Sequence, residues 1–449
     1  MPHASTTYGE TLSQLFWPVF FEYTLQMLVG VMDTVMLSMV SDQAVAASGT
    51  SNTYLYLVSM IFTIMSTGAL TVMTQYIGAG QPGVAVKARR LGLLFNAAVG
   101  GAFSLLFAFG SHGVLALLDT SAVLIEDAST YMTMVGSTCI LLAMTNVYSS
   151  YLRSFGLAGL TLVATGTANV VNIVLNGVFI ACGWGIAGVA LATMISRVVN
   201  LVLVMAFCAR IRKKEFDRYD ISNREIFRQI FKIGFPSAGE LIVFNLSISF
   251  MVRCLNQMDA EGIAVGVYSY CNQICNLIYC AAVSLSQANG ILVGWRVGEG
   301  DFEAGYRQTI TSFKYGILVT GITAVVAALI SRPVLGLLTD NQSILAFVFP
   351  IMCLNIVKEL GRQGNYIIGT ALKSSGDAAI TVIMGLVCMP TCAVLGSYLL
   401  GLRLGWGIYG AWIGMTCDEG IRCLWMLARL RSRKWETKAL IKKAAPPAV

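Results

Sequence analysis

Polar side chains inside long apolar segments are the residues of this chain best suited to chemistry. In the first apolar segment, Glu22, Gln26 and Asp33 share one face, because eleven residues at 100° each bring Asp33 within about 20° of Glu22. A carboxylate in the bilayer costs about 2.5–3.5 kcal/mol and needs a reason. Such a group can carry a proton by titrating, or it can bind a small cation together with amide and hydroxyl oxygens.

Two further polar stripes follow helical spacing. The first is spaced i, i+4, i+7, i+11 and comprises Thr165, Asn169, Asn172 and Asn176. The second comprises Asn355, Glu359, Arg362 and Tyr366, with Lys358 and Gln363 at its edges. Either stripe could instead join neighbouring helices. Glu359 and Arg362 lie one helical turn apart, so a structural ion pair is as good an interpretation as a substrate site.

The elements that position these residues are present twice. Residues 17–22 match 235–240 at an offset of 218, residues 152–156 match 372–376 at 220, and residues 184–188 match 406–410 at 222. The order is kept and the offset drifts by four residues. Two copies of one unit are the pattern of a duplicated membrane transporter.

The composition agrees with a membrane protein. Hydrophobic residues make up 56% of the chain, charged residues 12%, and the mean hydropathy is +0.72, whereas soluble domains carry about 25% charged residues. Each span needs about 20 apolar residues. Twelve segments qualify: 12–38, 48–77, 90–118, 128–152, 160–181, 185–209, 228–256, 262–297, 307–338, 344–370, 378–401 and 406–430.

We therefore predict an all-α membrane protein with twelve transmembrane helices in two parallel-repeat six-helix bundles. Residues 1–209 form the N-terminal bundle, residues 210–232 a cytoplasmic basic linker, and residues 233–449 the C-terminal bundle and tail. Lysine and arginine concentrate in the even-numbered connections and the tail, which places both termini in the cytoplasm. The net charge of +7 reflects this bias and does not indicate nucleic-acid binding.

The same positions in the two copies differ in polarity. Asp33 matches Met251, Asn172 matches Cys392, Asn176 matches Gly396 and Thr193 matches Met415. A residue needed for the shared fold should tend to persist in both copies, so these four polar residues predict a site peculiar to the first bundle.

The pair Pro18 and Glu22, by contrast, recurs as Pro236 and Glu240. We interpret both pairs as architecture, in which a carboxyl group accepts the backbone donors that the proline frees.

The chain resembles the multidrug and toxic-compound extrusion (MATE) family of cation-coupled exporters over nearly its whole length. The motifs are Pro18 with residues 31–36, residues 172–180, residues 185–193, and a Glu-x-x-Arg-x-x-Asn pattern at Glu359, Arg362 and Asn365. The resemblance implies that Asp33 is the cation or proton carrier and that Asn172, Asn176 and Thr193 line its pocket. Many members have an acid at the position of Asn176, so the coupling ion, H⁺ or Na⁺, stays open.

These features predict a secondary active exporter that exchanges organic, often cationic or aromatic, small molecules for H⁺ or Na⁺ by alternating access. Gln26, Glu359, Arg362 and Asn365 are candidates for the substrate cavity or for a structural pair. The expected setting is the bacterial inner membrane, as a monomer in the lipid bilayer, without cofactor or metal site. An enzyme is not expected, because two histidines supply little for a catalytic or metal set.

The alternative is a lipid-linked-sugar flippase or an anionic-metabolite exporter of the same superfamily. It would be favoured if the basic residues within the spans faced the cavity; these are Arg197, Lys358, Arg362 and Arg422.

Overall fold

The computed structural model describes residues 10–211, 221–259, 261–336 and 339–441. The described part is built from α-helices and falls into two compact units, residues 1–235 and 236–449. The first unit contains α1 Leu12–Ser38, α2 Asp42–Gly78, α3 Pro82–Leu117, α4 Ile125–Gly136, α5 Cys139–Ser154, α6 Ala158–Ala181 and α7 Gly185–Arg210.

Helix α8, Asn223–Asn256, begins in the first unit and continues into the second. The second unit then contains α9 Ile263–Glu299, α10 Phe302–Leu335, α11 Gln342–Ser374, α12 Ala378–Cys388, two π-helical segments, Met389–Leu395 and Ser397–Arg403, and α13 Gly407–Arg431. A single turn of 3₁₀-helix, Glu436–Lys438, follows.

The helices account for the twelve spans. Ten helical segments in the described residues are long and apolar enough to cross a membrane. The bent pair α4–α5, with 43° between its halves, makes an eleventh span. Helix α13 is the twelfth and more polar, because Asp418, Glu419 and Arg422 lie near its middle.

Two predicted spans are less regular than expected. The span predicted over 128–152 is broken at residues 137–138, between α4 and α5. The span predicted over 378–401 changes from α-helix to π-helix at Met389, directly before Pro390. Proline has no N–H to donate to the helical ladder, which favours a shift of register at that point.

The predicted linker, residues 210–232, is partly helical. Residues 223–232 are the first turns of α8, and residues 212–220 lie outside the described residues. The start of α8 is set by Ser222, whose hydroxyl accepts from the backbone N–H of Glu225 at 3.2 Å.

Left-handed glycines mark the duplication in the backbone. Gly80 after α2 has φ of 73°, and Gly300 after α9 has φ of 78°. Gly156 after α5 and Gly376 after α11 have φ of 78° and 95°. Such values favour glycine, which closes a helix in this conformation without steric cost. Both pairs lie 220 residues apart, so the two copies end these helices in the same way.

Each unit has its own apolar core. In the first unit, α2, α3, α4, α5 and α7 pack around a cluster that includes Phe62, Phe107 and Met132. In the second unit, one cluster surrounds Trp412 on α13 and another surrounds Trp435, which follows it. These cores hold the polar residues of α1, α6, α11 and α13 in fixed positions.

Candidate ion-coupling site

Four polar residues of the first unit form one hydrogen-bonded chain. The side chain of Asn176 on α6 donates to Asp33 Oδ1 of α1 at 2.7 Å and to Asn172 Oδ1 at 3.3 Å. Asn172 Nδ2 donates in turn to the hydroxyl of Thr193 on α7 at 3.5 Å. Asn172 and Asn176 are buried, and Asp33 and Thr193 are partly buried. The residues predicted for ion coupling therefore lie together, at the meeting of α1, α6 and α7.

The Asn176 amide can serve both charge states of Asp33. Its Nδ2 group donates to the carboxylate, and its buried Oδ1 atom has no hydrogen-bond partner among the described residues. A protonated Asp33 would offer an O–H donor, which Oδ1 accepts after a half-turn of the amide. One side chain thus supplies the donor that the carboxylate needs and the acceptor that the acid needs.

Arg197 on α7 is engaged at the break between α4 and α5. Its Nη1 atom donates to the carbonyl of Val135 and to the hydroxyl of Thr138, both at 2.8 Å. A break inside the membrane frees backbone groups that must find partners. Arg197 supplies one, so its guanidinium stabilises the broken span.

Glu22 is held by side chains rather than by the backbone donors we predicted. Its Oε1 atom pairs with Arg153 at 2.7 Å, and it accepts from the hydroxyls of Thr161 at 2.9 Å and Thr165 at 3.3 Å. Pro18 lies four residues earlier, inside the continuous helix α1. The carboxylate therefore ties α1 to α5 and α6.

The second unit repeats this arrangement. Glu240 Oε2 pairs with Lys373 at 2.6 Å and accepts from the hydroxyl of Thr381 at 3.4 Å. Lys373 and Thr381 stand 220 residues after Arg153 and Thr161, and Pro236 lies inside α8 as Pro18 lies inside α1. We call each set the glutamate clamp of its unit.

The polar stripe of α11 joins acidic residues of α13. Arg362 pairs with Glu359 at 2.9 Å and with Glu419 at 3.2 Å. Asn365 donates to the carboxylate of Glu419 at 2.7 Å and to its backbone carbonyl at 2.9 Å. The pair predicted at Glu359 and Arg362 is present, and its principal further partner is Glu419, which we had not included among the site residues.

Arg422 and Lys358 complete the charged group. Arg422 pairs with Asp418 at 2.8 Å and with Glu419 at 2.9 Å. Lys358 Nζ lies 3.5 Å from Glu359 Oε1 and over the ring of Trp412, 5.2 Å from its centre. We call the three bases and three acids, Lys358, Glu359, Arg362, Asp418, Glu419 and Arg422, the charged cluster.

A cavity of about 50 Å³ opens beside the charged cluster. Lys358, Arg362, Asp418 and Glu419 line one part of it, and most of the remaining wall is apolar or aromatic. Met251 and Met415 lie in that wall and are the repeat counterparts of Asp33 and Thr193. The two units therefore hold polar groups in corresponding places, but on different residues.

Gln26 does not join either group. Its side chain is exposed on α1. Sequence reasoning also left out Arg153, Thr161 and their copies as partners of the clamp glutamates. The conserved offset between Arg153 and Lys373 was the signal that could have identified them, since both stand at the same place in the repeat.

The fold and both polar groups can now be compared with known proteins. The family model MatE matches residues 18–178 and again 236–399. The chain belongs to the MatE family. The two matches start 218 residues apart and end 221 apart, so one family model recognises both copies.

Two known proteins align with the chain almost end to end. The uncharacterized transporter YisQ of Bacillus subtilis is 32% identical over 437 residues, covering 96% of each protein. A probable multidrug resistance protein NorM of Thermotoga maritima is 26% identical over 445 residues, covering 96% of this chain and 94% of its own.

Solved structures agree on the fold. An outward-facing multidrug resistance MATE transporter of the MOP superfamily superposes with a TM-score of 0.85 at 19% identity, over 94% of this chain and 96% of its own. A MOP superfamily transporter from Pyrococcus furiosus, described as having reversed polarity in its binding pocket, gives 0.85 at 18%, over 96% of both chains. The predicted all-α membrane fold of twelve helices in two six-helix bundles is confirmed. The protein is an integral membrane protein of a transporter family.

Proposed function

We propose that this protein is a proton-coupled exporter of organic, often cationic or aromatic, small molecules, working by alternating access in the bacterial inner membrane with both termini in the cytoplasm. Family membership supports transport, and the names of relatives such as NorM support drug-like cargo. The observation that carries the coupling proposal is the contact of 2.7 Å between Asp33 and Asn176.

Protonation of Asp33 would change how three helices are held together. The charged carboxylate accepts from α6, and through Asn172 the chain of hydrogen bonds reaches Thr193 on α7. Loading a proton removes the charge that fixes Asn176 in its present orientation, which releases this arrangement. A charge-dependent contact between α1 and the rest of its bundle is what a coupled transporter needs to link ion binding to a change of conformation.

The orientation of the Asn176 amide favours H⁺ over Na⁺ as the coupling ion. Its donor faces the carboxylate and its oxygen faces away, whereas a sodium ion would need the oxygens of Asp33, Asn172 and Asn176 to converge. Sodium binding would therefore require at least one amide to rotate before the ion enters.

Anionic cargo has less support. Arg197 is engaged by the α4–α5 break, and both Arg362 and Arg422 are paired with acids at 3.2 Å or less. These three guanidinium groups are occupied, so they do not form the open anion site that a flippase of lipid-linked phosphates would need.

The test uses proteoliposomes with a fluorescent cationic dye and one imposed gradient at a time. We expect a pH gradient alone to drive dye exchange and a sodium gradient at matched pH to drive none. Asp33→Asn should fold, insert and lose gradient-driven transport. The matched control is Asp42→Asn, an exposed acid at the start of α2. Normal transport by Asp33→Asn, or strong exchange under sodium alone, would contradict the proposal.

A further inference from the structure

The charged cluster of the second unit is electrically balanced and buried. It has three bases and three acids, of which Lys358 and Glu359 are each 1% exposed and Arg422 is 5% exposed. Ionic groups inside a membrane helix bundle are costly and mark functional sites. The first-unit site accounts for none of these six residues, so the cluster calls for its own explanation.

Lys358 is the least firmly held of the three bases. Arg362 and Arg422 each contact two acids at 2.8–3.2 Å. Lys358 has one acid at 3.5 Å, and its ammonium group lies over the indole of Trp412 and lines the cavity. Arginine stays protonated in proteins, whereas a buried lysine can lose its proton. Lys358 is therefore the base of the cluster that can change charge.

Charge counting decides which ligand the cavity favours. With Lys358 protonated the cluster is neutral, so an anion entering the cavity would add a fourth negative charge to three. With Lys358 neutral the cluster has three negative and two positive charges. One uncompensated negative charge would then face a cavity whose wall includes Tyr268, Met251 and Met415. That state favours a cation. The aromatic and methionine side chains of the wall can contact the head group of an organic cation and the apolar groups attached to it.

We propose that the cavity of the second unit binds the head group of a monovalent organic cation in exchange for the proton of Lys358. This inference rests on the proposed function and adds a second exchange site to it. On cation entry the N–H bond of Lys358 breaks, the amine keeps the electron pair, and the proton leaves through water. One positive charge enters and one leaves, so the cluster stays neutral. The cavity of about 50 Å³ has room for roughly three to five water-sized positions, enough for a head group and not for a whole drug molecule.

The groups around Lys358 favour it as the group that releases a proton when the cation binds. Helix α8 and the π-helical segment Met389–Leu395 contribute uncharged residues to the cavity, namely Phe244, Ser247, Ile248, Met251, Met389 and Ala393. The titratable or charged groups facing Lys358 come from α9, α11 and α13, namely Tyr268, Cys271, Cys275, Glu359, Arg362, Asp418, Glu419 and Arg422. Asp418 contacts Arg422, and Glu419 contacts both Arg362 and Arg422, whereas Glu359 is the acid that Lys358 shares with an arginine.

The experiment counts protons released when a cation binds. The probe is phenyltrimethylammonium, whose fixed charge carries no proton, so every released proton comes from the protein. Calorimetry of the detergent-purified protein in two buffers of different ionisation enthalpy gives the number of protons per cation. The background is Asp33→Asn, which removes the carrier of the first unit. We expect about one proton per cation, and an affinity that tightens up to about tenfold per pH unit while Lys358 is protonated.

Two substitutions of Lys358 should act in opposite directions. Lys358→Arg keeps a permanent charge in the cluster, so binding should weaken at least tenfold and release no proton. Lys358→Met leaves the negative charge in place, so the cation should bind without proton release and at a pH-independent affinity. The cation should also raise the melting temperature of Lys358→Met more than that of the Asp33→Asn background. Lys314→Met, an exposed lysine on α10, is the control and should behave like the background.

A structural role alone would not give opposite effects for arginine and methionine. The proposal is overturned if the Asp33→Asn background binds the cation without releasing a proton, or if Lys358→Arg releases as many protons as the Lys314→Met control. It is also overturned if the cation does not bind and benzoate binds in a way that requires Lys358, which would make the cavity an anion site. Equilibrium binding in the Asp33→Asn background separates these outcomes from failure of the first-unit coupling, which is a transport measurement.

Discussion

The two glutamate clamps provide an internally controlled test of what a buried ion pair contributes in this protein. In the first unit the side chains of Glu22 and Arg153 are 3% and 13% exposed. In the second unit those of Glu240 and Lys373 are 17% and 21% exposed. The arrangement is the same, but the burial differs. We therefore expect Glu22→Gln to destabilise the protein more than Glu240→Gln.

The magnitude follows from burial and from the groups left behind. Removing one partner of a buried pair costs about 3–5 kcal/mol, because the other charge stays buried without compensation. In Glu22→Gln, Arg153 would lose its carboxylate partner at 2.7 Å and Thr161 would lose its charged acceptor. Solvent screens the second clamp more, so about half that cost is expected for Glu240→Gln. At about 2–4 °C per kcal/mol for a unit of this size, the first substitution should lower the melting temperature by roughly 6–20 °C.

Buried cysteines give the assay. A thiol-reactive fluorescent dye reports unfolding in detergent as they become accessible, and they occur in both units: Cys139, Cys208, Cys271, Cys275, Cys280, Cys388 and Cys423. The double variant Glu22→Gln with Arg153→Met should recover part of the loss, because it also removes the buried positive charge. Equal shifts for the two glutamine variants, or a double variant that melts at the sum of the single losses, would refute the reasoning.

Two further predictions concern the polar groups themselves. Arg362→Ala should destabilise by about 3–5 kcal/mol, because Glu359 loses its closest partner. The control Arg307→Ala, whose pair with Glu303 is 77% and 53% exposed, should leave the melting temperature nearly unchanged. Unchanged melting of Arg362→Ala together with loss of anionic cargo would contradict the structural role. Asn176→Asp places a second carboxylate against Asp33. The variant should therefore bind sodium measurably in calorimetry, whereas the unsubstituted protein should not. No heat of sodium binding in the variant would show that two carboxylates are insufficient here.

Helical periodicity made part of the first-unit site predictable. Asn172 and Asn176 are four residues apart, so any helix places them on one face, and the structure links them by a hydrogen bond of 3.3 Å. Residue spacing could not predict their contact with Asp33, because α1 and α6 are far apart in the chain. The difference in polarity between the two copies and the family resemblance both predicted that these residues share a site, and the structure supplies the distance.

Partners across helices were harder to predict than faces of one helix. Glu419 of α13 contacts Arg362 and Asn365 of α11, and also Arg422 of its own helix. The contacts with α11 depend on how the two helices are rotated against each other, which the local sequence does not predict. The break between α4 and α5 was likewise missed, because residues 128–152 are continuously apolar enough for one span. Its stabilising donor, Arg197, comes from α7 and is evident only once the helices are packed.

The two copies place different charges at corresponding positions of their helices. In the first unit, Arg197 of α7 donates to the hydroxyl of Thr138. The repeat offset of 222 matches Arg197 with Glu419, and the offset of 220 matches Thr138 with Lys358. The position of the cation now holds an anion, the position of the hydroxyl holds a cation, and the position of the acid of α1 holds a methionine. The two copies share the clamps and differ in the polar residues of the two candidate sites. Under the two proposals made above, one repeated scaffold would hold two different exchange sites, with Asp33 as the titrating group in the first unit and Lys358 in the second.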